Sequence, residues 1–406
     1  MAALVPFRAL RPAATSAARV AAVPYDVVNT SEARALASDN PLSFLHVSRA
    51  EIDLPDGANP YADAVYERAA ANFDRLRQQA PLIMEDAPSL YVYRLRMDRH
   101  FQTGLAGCFS VDEYERRVIL RHEHTRQDKE DDRTRHLLTL GAQTGPVFLT
   151  YRARPAVDGL VERVTATSPV YDFAAVDGVQ HTIWRVGAAD ERQIVLAFDA
   201  IPALYIADGH HRAASAARAR RTLAGAAHAT GEWDSFLAVA FPDSEVRILP
   251  YNRVVADLAG MTPAAFLDAL RARALVQDGP AEPQRRGDVA MFLQGAWHTI
   301  VLPAAPAAVS PADRLDVTRL HATVLEPLLR IGDVRTDKRI DFVGGVRGTA
   351  ELESRVRSGV AAVAFSMYPV DAGDLMAIAD AGDIMPPKST WFEPKLRDGL
   401  LCHVIS

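Results

Sequence analysis

Five consecutive residues, Asp208-Gly209-His210-His211-Arg212, combine the side chains needed to recognise a small anion and move protons beside it. They follow a short apolar run, Ala203 to Ala207, that suits a buried strand, and precede Ala213 to Leu223, rich in the strong helix formers Ala and Arg. A strand passing through a glycine turn into a helix leaves backbone N–H groups facing open space, which makes an anion cradle. Gly209 permits close backbone approach, Arg212 offers a planar multidentate donor, and two imidazoles can donate hydrogen bonds or transfer protons near neutral pH. Asp208 would orient a histidine or hold a divalent ion. In a plainer arrangement Asp208 caps the helix and the histidines pack on neighbours. Adjacent histidines at a helix start point in different directions, which favours one of them facing a cleft. Zinc is the weaker expectation, because no third ligand follows from the spacing.

A second segment, Arg121 to His136, sets acids, bases and cations side by side. His122, Glu123 and His124 come just after a strand, where a loop can present a carboxylate base and a cation to a phosphorylated substrate. The same charges also suit a solvated helix face. Two proline-stiffened loops are weaker candidates: Pro24-Tyr25-Asp26, and Met385 to Lys395 with Lys388 at its centre. In the latter, Trp391 and Phe392 are equally suited to closing a core. Gly344-Gly345 lacks the spacing of a dinucleotide fingerprint, and no Walker-type Gly-Lys-Ser/Thr is present.

The elements that must position these groups read as mixed α and β. Helices are expected at Ser31 to Ala37 (capped by Ser31 or Thr30), Tyr61 to Gln79 (stopped by Pro81), Glu130 to Leu140 with Gly141 at its end, and Asp190 to Phe198. Ser43 to Ser48 looks strand-like. Leu90 to Met97, Thr103 to Val111 and Arg117 to Leu120 suggest an antiparallel meander, with further strands at Pro146 to Arg152 and Phe236 to Phe241 after a loop from Ala224 to Gly231. Beyond about Asp257 the pattern resets. A helix at Pro263 to Leu275, strands at Val289 to Leu293 and Trp297 to Leu302, a Pro/Ala linker and a helix at Val317 to Leu329 precede alternating elements from Ile340 to Ala381 and the extended Met385 to Pro394. The expected organisation is a mixed-sheet α/β lobe over residues 1–255 carrying the phosphate-binding turn, and a C-terminal α/β subdomain over 256–406.

With 406 residues the chain has room for about two or three domains. Its net charge of −6 gives no global positive field to draw it onto nucleic acid or anionic lipid, so an anion site must be local. Cys108 and Cys402 are too few for a disulfide framework, which points to a reducing, cytoplasmic setting. Arg8, Arg11 and Arg19 faintly imitate a transit peptide, but prolines break the stretch and no apolar core region follows. No apolar run reaches the roughly 18 residues of a membrane span.

Several segments together resemble the bacterial family catalogued as domain of unknown function 1015: Val5 to Pro12, Pro24 to Val28, Asn40 to Val47, Arg121-His-Glu, Lys129 to His136, Ala207 to Ser215 and Met385 to Lys395. The Asp-Gly-His-His-Arg turn is similar to that of a superfamily holding ParB, sulfiredoxin and nucleotide-dependent free serine kinases, where such a turn grips nucleotide phosphates. The resemblance implies phosphoryl transfer to a small hydroxylated metabolite, with serine or phosphoserine as substrate and ATP or ADP with Mg2+ as cofactor. On that expectation Asp208, Gly209, His210, His211, Arg212, Arg126, Lys129 and Lys388 bind phosphate or nucleotide, His210 and His211 assist catalysis, and Glu123 or Asp26 is the base. A phosphoserine phosphatase and a ParB-like nucleotide-binding switch are the alternatives. The acidic chain, without a basic helix-turn-helix, makes DNA binding the lesser inheritance, and a homo-oligomer remains open.

Overall fold

In the computed structural model, which describes residues 3–80, 82–225, 229–306 and 308–405, the two chemistry-bearing segments leave one end of the same sheet. Strand Ile119–Leu120 pairs in parallel with strand Leu204–Asp208, Ile119 opposite Leu204 and Leu120 opposite Tyr205. The residues just beyond each strand therefore emerge side by side. This pair forms one edge of a nine-stranded mixed sheet. Next to Leu204–Asp208 come Val147–Tyr151, Ser235–Pro242, His100–Ser110, Tyr91–Met97, Gln180–Arg185 and Tyr171–Ala174, with Leu4–Val5 pairing His100–Ser110 off the main path. A second parallel pair joins Val147–Tyr151 to Ser235–Pro242, and the remaining pairs are antiparallel.

Helix His210–Ala224 lies against this sheet through small residues. Ala213, Ala216 and Ala217 are buried with Leu149, Ile206 and Ala240 in one apolar cluster. Spacing of three and four residues puts these alanines on one helix face, and their size lets the backbone approach the strands closely. Its other neighbour is helix Gln127–Leu140, to which Arg218 is tied by ion pairs to Glu130 and Asp131.

The chain forms two compact units: residues 1–246 together with 394–406, and residues 247–393. The boundary thus lies before the 255/256 break expected from the pattern, because strand Tyr251–Val255 pairs with Ile340–Gly344 and Val363–Met367 of the second unit. The last thirteen residues rejoin the first unit, where Cys402–Val404 pairs with Ala9–Arg11 and Ala142–Gln143. The second unit carries a six-stranded sheet that is antiparallel throughout, flanked by helices such as Gly348–Arg357 and Ala372–Asp380. The fold is mixed α+β.

Several local expectations are corrected. Ser43 to Ser48 is not a strand: Leu45–Ser48 is a helical turn entered through Ser43 Oγ, which accepts the Leu45 N–H at 3.3 Å. Helix Thr30–Ala37 is capped by Asn29 rather than Ser31 or Thr30, in a reciprocal capping box with Glu32. Val111 opens a short helix capped by Ser110, and Ile119–Leu120 joins the parallel pair instead of a meander. Helix Pro263–Arg271 ends before Leu275, which starts a strand. The helix expected to run to Leu329 turns π-helical at His321–Leu325. Helices Ala14–Val20 and Pro155–Thr165 and the strands Tyr171–Ala174 and Gln180–Arg185 were not anticipated. Pro81 and residues 226–228 of the expected Ala224 to Gly231 loop lie outside the described residues.

Candidate functional site

The turn is built as its residue types require. Gly209 has φ +91°, in the left-handed region, and a Cβ there would meet Arg212 Nε at 2.7 Å. The N-cap of the helix that begins at His210 is Gly209, which has no side chain to offer its first-turn N–H groups. Asp208 does not take the capping role: its Oδ2 lies 3.4 Å from both Lys395 Nζ and Arg212 Nη2. Burial alone would raise the Asp208 carboxyl, but Lys395 and then Arg212 hold it well below the usual carboxylate range. It is a fixed anion between two cations.

The parallel strand register brings His122 and Glu123 to His210. The His122 and His210 rings meet edge to face with centroids 4.6 Å apart. Donor atoms of His122, Glu123 and His210 all lie within 4.8 Å of one another. Burial pushes the His122 imidazole down to about 4, and burial with its neighbour His122 pushes His210 well below its ordinary value, so both rings are neutral at pH 7. His211 turns the other way, its Nε2 accepting the Arg126 backbone N–H at 3.1 Å. Its pKa is also lowered, chiefly by burial, against the charge of Asp26.

Arg212 points into a region of buried charge. Its Nε and Nη1 are buried and make no hydrogen bond among the described residues. Asp26 and Asp398 act on it along with Asp208. Asp398 is itself buried, and burial pushes its carboxyl up to about 7 despite the attraction of Arg212. Beside it the Arg133 guanidinium stacks 4.1 Å over the Tyr25 ring and pairs with Asp132, whose other oxygen accepts the Tyr66 hydroxyl at 2.8 Å. A small cavity of about 50 Å³ touches Tyr25, Arg133, Arg212 and Asp398. A larger one, about 150 Å³, shares Tyr25 and Arg133 and is lined further by Arg49, Glu51, Lys129 and Asp132.

Most of the sequence candidates therefore converge. Asp208, Gly209, His210, His211 and Arg212 share the turn; Glu123 joins His210; Asp26 and Lys129 act electrostatically on His211; and Arg126 reaches it through its backbone. The Arg126 guanidinium itself pairs with exposed Asp128, and the Lys129 ammonium donates to Tyr61 Oη at 2.8 Å. Lys388 belongs to the second unit, where its ammonium lies 5.4 Å over the Tyr251 ring.

The family model described as protein of unknown function (DUF1015) matches residues 4–318. The chain belongs to this family. No curated protein matches the sequence. Among solved structures, the fold is similar to a mutant free serine kinase in complex with AMP, at 11% identity and a TM-score of 0.40, covering 74% of this chain and 91% of that one. It is also similar to SbnI with C-terminal truncation from Staphylococcus aureus (11%, TM-score 0.39, 72% and 85%) and to a conserved hypothetical protein from Pyrococcus furiosus (14%, 0.36, 73% and 94%). These are distant likenesses of fold, and no residue role is carried over from them.

In this DUF1015 chain, sequence reasoning did not pair His122 with His210 and missed Asp398; it held Arg133, Tyr25 and Lys395 only as members of candidate segments, without a role for any of them. The histidine could have been found from the strand pairing, since both segments follow short apolar runs. Nothing local shows that Lys395 and Asp398 meet the turn, because only the return of the C-terminal tail brings them there. No helix among the described residues is long and apolar enough to cross a membrane.

Proposed function

We propose that the first unit is a phosphoryl-transfer enzyme, moving a nucleotide's terminal phosphate to the hydroxyl of a small metabolite, with ATP or ADP as donor and serine as the first acceptor to test. One observation carries this reading: Arg212 has two buried, unpartnered donors, Nε and Nη1, beside a helix N-terminus whose N-cap, Gly209, has no side chain. Nε and Nη1 lie on different edges of the guanidinium, so each offers its own charged N–H to an anion's oxygen, and the helix supplies further N–H donors and a positive end. Two unused charged donors in a dry site are costly unless a ligand employs them.

The cavity of about 150 Å³ is of a size for a small acceptor, and its polar wall carries the ion pairs Arg49–Glu51 and Arg133–Asp132 together with Lys129. An amino acid would meet both signs of charge there. In the transfer step the acceptor hydroxyl gives its proton to the Asp26 carboxylate, its oxygen bonds to phosphorus, and the bond from phosphorus to the nucleotide oxygen breaks. Arg212 and the first-turn N–H groups stabilise the charge on the equatorial oxygens. Magnesium prefers oxygen ligands, and the Asp208 oxygen facing the turn is engaged by Lys395 and Arg212. The chain's own groups at the turn therefore do not fit a dedicated magnesium cage.

Phosphorus NMR tests the reading. Wild-type protein with magnesium, ATP or ADP and L-serine is expected to yield phosphoserine, and Arg212→Ala to yield none while retaining its fold by circular dichroism. Free phosphate from O-phosphoserine alone would replace the kinase by a phosphatase. Silence in both tubes would overturn the serine assignment.

A further inference from the structure

The cluster of His122, Glu123 and His210 is left without a task by the phosphate cradle. His122 is 2% exposed and His210 6%, so both imidazoles are shielded from water. Nε2 of His210 is buried without a hydrogen-bond partner among the described residues, and the His122 ring has only the Ile206 backbone within reach. Buried imidazole nitrogens ordinarily find a partner, and an unsatisfied one on His210, whose ring meets that of His122 edge to face, requires an explanation. Plain packing does not provide one, since an apolar ring would fill the same space without an unsatisfied nitrogen.

We propose that His122, Glu123 and His210 form a site for one divalent transition metal ion of the zinc class. Two imidazole nitrogens and one carboxylate oxygen are a donor set that suits zinc and its first-row neighbours better than magnesium or calcium, and three protein ligands leave a coordination position open. The spacing allows it. Donors about 2 Å from a tetrahedral ion stand roughly 3.3 Å apart. These three lie within 4.8 Å of one another, so closing on an ion asks for shifts of order 1 Å, within the reach of a carboxylate rotamer and a ring tilt. Glu123 supplies one negative charge, and Asp208 acts on both histidines as a second.

The placement follows from the fold. His122 and Glu123 leave strand Ile119–Leu120 and His210 follows strand Leu204–Asp208, and these strands pair in parallel. The ligands are thus held by rigid elements on two segments remote in sequence, which is why spacing along the chain did not disclose a third ligand. The ion would sit at the same turn as the proposed phosphate cradle. The test below reads binding rather than turnover, so it succeeds or fails separately from the phosphoryl-transfer reading.

Full-length protein stripped with a chelator is titrated with cobalt(II) chloride and followed by visible absorption. One saturating equivalent with the d–d bands of low-coordinate cobalt is expected, displaced by zinc and not by excess magnesium. His122→Ala is expected to lose the bands. Glu123→Gln, at a half-buried position less exposed to folding failure, is expected to weaken cobalt binding at least 10-fold. His298→Ala, in the second unit, should titrate as wild type. Absence of a saturating equivalent in the wild type, or an unchanged titration in folded Glu123→Gln, overturns the site.

Discussion

Lys395 Nζ and Asp208 Oδ2 stand 3.4 Å apart across 187 positions of chain, which ties the returning C-terminal tail to the Gly-His-His-Arg turn. Arg212 Nη2 shares the same oxygen at 3.4 Å. Lys395 thereby shares with Arg212 the charge of Asp208. Replacing it with methionine preserves the stem and removes the charge. We expect Lys395→Met to weaken binding of inorganic phosphate or nucleotide about 10-fold, or about 1.4 kcal/mol, together with a lower melting temperature because Asp208 keeps only Arg212 as countercharge. Lys388→Met, at the lysine favoured by sequence, is expected to cost less; isothermal titration of the two variants decides which lysine serves the anion.

Gly209→Ala should separate folding from binding. At φ +91° an alanine costs on the order of 1 kcal/mol of strain, a tolerable loss for a unit of this size. The added Cβ would, however, come within 2.7 Å of Arg212 Nε and displace the guanidinium from its place at the turn. The expected result is a folded protein that binds phosphate at least 10-fold more weakly. Unaltered affinity would mean that the Arg212 guanidinium is not what holds the anion.

How much of this was legible in the sequence depends on the distance over which each feature is determined. The strand, glycine and helix at 204–224 are local: an apolar run, a residue free to take positive φ and an alanine-rich stretch each act within a few residues, and all were readable. Phe44 misled, because β-type propensity around it yields to burial of its ring against Phe73 and to the cap from Ser43. The charged stretch around Arg133 suited a solvated face as well as a site, yet Asp132 is buried and pairs with a largely covered Arg133 stacked on Tyr25, which charge patterning cannot reveal. The placement of Lys395 and Asp398 at the turn was illegible for a different reason. Their role depends on a tail that returns to the first unit after a whole intervening unit.

The Arg133 and Asp132 pair makes a measurable stability prediction. Asp132 accepts from Arg133 Nε at 2.9 Å and from Tyr66 Oη at 2.8 Å, with little solvent to replace either. Arg133→Met leaves a buried carboxylate short of its countercharge, and the expected loss in urea unfolding is about 3 kcal/mol. Adding Asp132→Asn should recover part of it, since the uncompensated charge is then gone. A double variant no more stable than Arg133→Met alone would place the loss in the stacking on Tyr25 instead.

Asp398 and His136 pull the pH dependence of stability in opposite directions. His136 is buried with Nε2 3.0 Å from the Val47 carbonyl; burial and then the charge of Arg133 lower it to about 4. Its folded pKa lies below its unfolded value of about 6.5, so the unfolded chain binds the extra proton, and stability is lost as pH falls from 6.5 toward 4. Asp398, raised to about 7 by burial, behaves conversely. Between its unfolded value near 3.8 and about 7 the folded state holds the proton, so stability falls as pH rises through that window and stays reduced above it. The two slopes, each at most about 1.4 kcal/mol per pH unit, largely cancel between pH 5 and 6.5. Asp398→Asn removes one of them. Urea unfolding at pH 5, 6.5 and 8 is expected to show the variant more stable than wild type at pH 8 and losing more on acidification. Parallel profiles for the two proteins would mean that Asp398 is already ionised at neutral pH, in which case it competes with the ligand for Arg212; a protonated Asp398 leaves that guanidinium to the phosphate.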